Sequence, residues 1–146
     1  ALINRYEEEI DRSQLLLDKS ITEAFTIHHA SQLRIVELHY VSLLAKDLER
    51  LVDILSIMNF YDEPFLKRVL EIIDTLTEII SGIGTLNFTI PLEKAIAFIK
   101  KVELMENVKV KDIATYEKKR VKEHLNAVAE VIIDWALLRE LDDKTK

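Results

Sequence analysis

No cysteine occurs anywhere in this chain, and glycine, proline and tryptophan are scarce: Gly82 and Gly84, Pro64 and Pro91, and Trp135 are the whole supply in 146 residues. The missing cysteine excludes disulfides and thiolate metal sites. So few backbone breakers over such a length exclude a fold of many short strands and tight turns, and favour long helices. Also missing is a long apolar run. The longest uncharged stretch, 79–92, has 14 residues and is interrupted by both glycines and Pro91, too short and too broken to span a bilayer. No signal peptide opens the chain, and the first residue is Ala, which gives the expectation that upstream sequence has been removed. Asn87-Phe88-Thr89 fits a glycosylation sequon and reads as a chance match. Positive charge is in deficit: 20 Lys and Arg face 26 Asp and Glu, a formal charge of −6, which opposes sequence-independent binding to nucleic acid.

The residues present are those of a soluble globular helical domain, 49% apolar and 32% charged, with Leu, Glu and Lys, all good helix formers, abundant between the breakers. The chain suits one domain with a shared core. Ile3, Tyr6, Ile10, Leu17, Ala24 and Ile27, with Ser13 and Ser20 in the missing steps, follow the 3–4 spacing of an amphipathic helix over 2–27. Val41, Leu44, Leu48, Leu51, Leu55 and Met58 carry the same rhythm through a second helix over 30–60. Asp62-Glu63-Pro64 reads as a stop and a new start. A third helix is predicted over 65–80, ended by Ser81-Gly82-Ile83-Gly84. After a loop at 87–91, a fourth runs over 92–106 and a fifth over 113–141, with 107–112 ambiguous and 142–146 frayed. The fold class is therefore all-α, an antiparallel helical bundle of about five long helices.

Three Glu-x-x-x-Asp pairs carry the candidate chemistry: Glu7 with Asp11, Glu49 with Asp53, and Glu130 with Asp134. Four residues of spacing place both carboxylates on one side of a helix, where they repel unless a cation bridges them. Oxygen-only donors suit hard ions such as magnesium, calcium or manganese, and also iron. A solvated face is the ordinary reading of such pairs in an acidic chain. Glu130 and Asp134 stand out because Ala129, Ile132, Ile133, Trp135, Ala136 and Leu137 surround them with apolar surface, and Asn126 extends the polar row. His28 and His29 read as capping or surface groups, and His39 and His124 are isolated. Neither Glu-x-x-His, a Gly-rich phosphate loop, Gly-x-Ser-x-Gly nor His-Glu-x-x-His occurs. Ala45-Lys46-Asp47-Leu48-Glu49-Arg50-Leu51-Val52-Asp53 can be laid on 125–134, a weak internal repeat 81 residues on.

Ala30-Ser31-Gln32-Leu33-Arg34, followed by 45–53, resembles the signature helix of the PhoU family. That helix reads Ala-x-Asp-Leu-Arg, an apolar stretch, then Leu-Glu-Arg-Ile-Gly-Asp. Glu7-Glu8-Glu9-Ile10-Asp11-Arg12 is similar to the acidic motif that precedes it, most closely in the archaeal form. The likeness is good over 4–60, fair over 113–141 and poor between. Leu51 and Val52 replace the family's Ile and Gly, Val131 stands where Arg is expected, and Glu103 and Glu106 have the wrong spacing for the second acidic motif. The resemblance implies two three-helix-bundle repeats. The first would lack its first helix and occupy 1–85 together with the start of the second, which would continue over 86–146. It implies metal clusters, often of iron, held by acidic motifs (here Glu7, Asp11, Glu49, Asp53, Glu130 and Asp134). It also implies a cytoplasmic regulator of phosphate uptake, not an enzyme, that acts on a phosphate transporter or sensor kinase and reaches the membrane only through that partner. Some archaeal relatives carry an AbrB-like DNA-binding domain upstream; this segment is expected to bind no nucleic acid itself, and to form a homodimer. The alternatives are a carboxylate-bridged metal-dependent helical enzyme and a purely structural dimerisation module.

Overall fold

Local signals start and stop each helix of the computed structural model, which describes residues 2–27, 33–58, 61–83 and 89–145, the side chains of Leu2 and Ile3 excepted. Among the described residues five helices form: α1 (Leu2–Thr26), α2 (Ile35–Ile57), α3 (Glu63–Ile83), α4 (Leu92–Glu103) and α5 (Ile113–Lys144). No strand occurs among the described residues, so the chain is all-α.

The expected start of the second helix at 30 is displaced to Ile35. Arg34 serves as its N-cap: its backbone N–H donates to Glu37 Oε2 at 2.8 Å and its carbonyl accepts from the Leu38 N–H. Residues 28–32, with His28, His29 and Ala30-Ser31-Gln32 of the signature-like motif, lie outside the described residues, as do Phe60, Gly84, Asn87 and Phe88. At the head of α3, Asp62 Oδ1 accepts from the Phe65 N–H at 3.1 Å. Pro64 sits in this first turn, where its missing N–H costs nothing. The expected end of α3 at Ser81 is also displaced, because Ser81, Gly82 and Ile83 are still helical. The ambiguous stretch 107–112 is a break. α4 stops at Glu103 ahead of Val108-Lys109-Val110-Lys111, whose β-branched alternation disfavours helix. α5 then opens on a capping box, with the Thr115 N–H donating to Asp112 Oδ1 at 2.8 Å and the Asp112 N–H donating to Thr115 Oγ1 at 3.1 Å.

The chain divides into two compact units, Ala1–Ile57 and Met58–Lys146. The division falls between α2 and α3. The first unit is a pair of packed helices. Its connection, 27–34, spans at most about 28 Å, shorter than the roughly 35 Å that α2 would need to return parallel, so the pair is antiparallel. The shielded stripe of α1 centres on buried Ile21, with Glu7, Ile10, Gln14, Leu17 and Ala24 half-buried along it, while Tyr6, Ser13, Ser20 and Ile27 are exposed. The predicted line is thus kept at 10, 17 and 24 and turned by one residue at the alternate steps, where i+4 replaces i+3. On α2, Leu38, Leu44, Leu51 and Ile54 are buried.

The second unit has a closed core. α4 packs on both α3 and α5. Val69, Ile72, Leu76 and Ile79 from α3, Ala95, Phe98 and Val102 from α4, and Val121, Leu125, Val128 and Ile132 from α5 are buried at helical spacing. Arg68 Nη2 donates to the Lys101 carbonyl at 3.3 Å and Lys101 Nζ to Thr75 Oγ1 at 2.7 Å, joining early α3 to late α4 in antiparallel sense.

Candidate functional site

The six expected carboxylates sit on three helices as separate i, i+4 pairs. Glu7 and Asp11 lie on α1, Glu49 and Asp53 on α2, and Glu130 and Asp134 on α5. Glu7 and Glu49 are half-buried; the other four are exposed. Among the described residues, no group of three or more His, Asp or Glu side chains is gathered closely enough to hold a metal ion. A multinuclear cluster needs more donors than one such pair supplies. A single hard cation, its shell completed by water, is the largest load that a pair could carry. The apolar neighbours of Glu130 and Asp134 explain themselves in the fold: Val131, Ile132, Trp135 and Ala136 face the core, and the two acids point to solvent.

Sequence reasoning missed a buried carboxylate. Glu37 is fully buried, holding the Arg34 N–H and lying 3.3 Å from Arg34 Nη2. A buried acid is stable only where hydrogen bonds or an opposite charge compensate its lost hydration, and here the cap supplies both. The signal was Glu37 three residues after Arg34, at the third helical position.

The second unit carries a groove of about 670 Å³ between the start of α3, the connection 104–112 and the first turns of α5. Pro64, Phe65, Leu104, Met105 and Val108 form apolar walls, and four cations, Arg68, Lys109, Lys111 and Lys118, face two carboxylates, Asp62 and Glu106. Lys118 Nζ is paired with Asp62 Oδ2, both largely shielded at 22% and 28% exposure, and stands 5.5 Å from the centre of the Phe65 ring. The Lys118 hydrogen bond, and then the Phe65 N–H, hold the Asp62 carboxyl below its usual range, against the opposing effect of burial. Asp112 is likewise held low, first by the Thr115 N–H, then by the Thr115 hydroxyl, with smaller help from the charges of Lys118 and Lys111. Lys122 Nζ donates to the Met105 carbonyl and to Asn107 Oδ1, each at 2.7 Å, and pins the connection against α5. The groove is therefore a preorganised cationic recess with an apolar wall.

A signal for it stands in the sequence: residues 100–122 hold eight Lys and Arg against four Asp and Glu, within a chain of net charge −6. Among the described residues no helix is long and apolar enough to cross a membrane. No protein-family model, curated protein or solved structure matches the chain.

Proposed function

We propose that the chain is a regulatory binding module that controls phosphate uptake or phosphate signalling by docking its helical faces on a transporter or sensor-kinase component. One observation carries the reading. In α2 the signature-like segment 48–53 is anchored by buried Leu51, with Ile54 behind it, while Glu49 is half-buried and Arg50 and Asp53 are exposed. A polar edge held on a rigid, anchored helix suits recognition of another protein, and the paired helix α1 brings its own acidic motif to the same unit. A hard cation held by Glu49 and Asp53, or by Glu7 and Asp11, would change the charge of that edge and so its affinity.

The test is a titration of the full chain with the cytoplasmic portion of the transporter or kinase component, with metal analysis of the same sample. Binding that weakens in a Glu49→Ala, Asp53→Ala variant is the expected result; no interaction with either component sinks the reading.

Self-association is a second reading that a specific observation favours. Leu15 and Leu16 on α1 are 72% and 67% exposed, and Tyr6, Phe25 and Ile27 are exposed as well. Adjacent exposed leucines on one helix are what a homodimer would cover. Light scattering that finds only monomer at high concentration removes this reading.

A further inference from the structure

The basic groove of the second unit is not used by the reading above, and it has three properties that belong together. The first is charge placement. Arg68 and Lys118 form a floor that is held in position, Arg68 by Glu71 at 3.0 Å and the Lys101 carbonyl, Lys118 by Asp62. Lys109 and Lys111 stand exposed on the rim, and neither side chain makes an ion pair among the described residues. The local excess of positive charge sits in a chain that is acidic elsewhere, so it is a directed feature and not a general surface property.

The second property is exposed apolar surface at the same end. Leu104 and Ile113 are each 76% exposed and Tyr61 79%, with Val110 and Tyr116 half exposed. Among the described residues, half of the exposed large apolar side chains of this unit therefore lie in or next to the segments that line the groove, as an interaction site requires and scattered surface residues do not. The third is backbone availability. Residues 106–110 lie outside any helix, and their backbone N–H groups have no hydrogen-bond partner among the described residues. Such a segment can bond to the main chain of an extended peptide.

We propose that this groove docks an extended acidic segment of another protein, one that carries an aliphatic anchor among its carboxylates. The anchor packs against Phe65, Leu104 and Val108. The carboxylates meet Lys109 and Lys111 at the rim and the positive field of the floor. Nucleic acid is the poorer occupant, because a phosphate backbone draws on an extended basic face, whereas the chain has a net charge of −6 and this groove holds four cations offset by Asp62 and Glu106. A small anion would leave the exposed apolar rim uncovered.

The assignment holds without the phosphate-signalling reading, and its test is independent of that reading. The full chain is titrated by fluorescence anisotropy with a labelled synthetic peptide of alternating Glu and Leu, with its Gln-and-Leu counterpart, with a single-stranded oligonucleotide and with phenyl phosphate. The acidic peptide is expected to bind, with affinity that falls about tenfold for the neutral counterpart and about tenfold in a Lys109→Glu, Lys111→Glu variant, and that weakens at raised salt. A Lys19→Glu, Lys46→Glu variant alters exposed lysines of the other unit by the same net charge and should leave the affinity unchanged. An Ile113→Ser variant should weaken binding while leaving the circular dichroism spectrum intact. The proposal is overturned if the acidic peptide does not bind at about 1 mM, if the neutral peptide binds as well, if the two charge-reversal variants behave alike, or if the oligonucleotide or phenyl phosphate binds more tightly than the peptide.

Discussion

The two units of this chain are made of the same kind of helix, and they differ in how much of it they bury. Among the described residues, the pair α1–α2 places five apolar side chains, Ile21, Leu38, Leu44, Leu51 and Ile54, out of solvent. The three helices of the second unit, with Ile90 and Met105 beside them, bury seventeen. Among the described residues, eight large apolar side chains remain exposed in the first unit, Leu15 and Leu16 foremost, against ten in the longer second unit. Two helices can shield only the seam between them, whereas a third helix closes that seam into a core. The difference teaches that the second unit holds the fold, and that the first holds surface. The carboxylate pairs of the signature-like motif lie on that surface, and the groove lies at the end of the stable unit.

The sharpest way to break this comparison is to empty both sides equally. Phe98 on α4 is fully buried, so Phe98→Ala should cost about 3–5 kcal/mol in urea unfolding. Leu16→Ala, on exposed α1 surface, should change stability by no more than about 0.5 kcal/mol. Similar losses from the two would show that Leu16 is covered in solution and that this face of α1 is not open surface. The next effect in size is Glu37→Ala, which removes the cap of α2 and leaves the groups around a fully buried carboxylate unmatched; about 1–3 kcal/mol should be lost. Glu37→Gln, which keeps an oxygen for the Arg34 N–H, should lose less. If Gln and Ala cost the same, the charge and not the cap is what matters there.

Most of this fold was legible in the sequence because the helical period is a strong signal over long segments. All five helices stand where the apolar spacing put them, and α1 and α5 begin at the expected residues. What was not legible follows from competition between local groups. The head of α2 depends on whether Arg34 lends its N–H to Glu37, and Ala30-Ser31-Gln32 carries no mark that excludes helix. The stripe of α1 could turn by one residue because 3 and 4 are both permitted steps, and Ile21 outweighs Ser20 as a core residue. The carboxylate pairs were legible as pairs. Their failure to gather in threes was not, because it depends on tertiary placement. The groove was hidden for another reason: an overall charge of −6 masks a basic stretch unless the chain is scanned locally.

Acid should separate the units again. Asp62 and Asp112 both have carboxyls held below their ordinary values by bonds made only in the folded state, and both serve the second unit. Each is ionised in the folded state at pH values where the unfolded group already binds a proton. Their contribution is therefore complete above the ordinary carboxylate pKa of about 3.9 and is lost as the pH falls from there through the lowered folded values. Melting followed at successive pH values should show a steeper acid loss in the parent than in an Asp62→Asn, Asp112→Asn variant. Asn still caps a helix, so the variant retains much of the geometry while losing the titration. Parallel acid profiles would mean that neither carboxylate is held low.

The smallest expected effect bears on what holds α1, since little apolar burial does. Its candidate substitutes are Arg5 with Glu9, 3.5 Å apart, and Glu8 with Arg12, 3.8 Å apart, all four side chains well exposed. Exposed pairs of this spacing contribute about 0.3–0.5 kcal/mol, and salt screens them. The order matters too: Glu8 precedes Arg12, the favourable direction along the helix dipole, whereas Arg5 precedes Glu9. Arg12→Ala should therefore cost slightly more than Arg5→Ala, and both differences should vanish in high salt. A loss from either above about 1 kcal/mol would make the first unit an electrostatic structure, because no other mechanism for such a loss exists at an exposed helix position with no buried partner. The contrast between a packed unit and a thin one would then give way to a contrast between two equally stable units held by different forces.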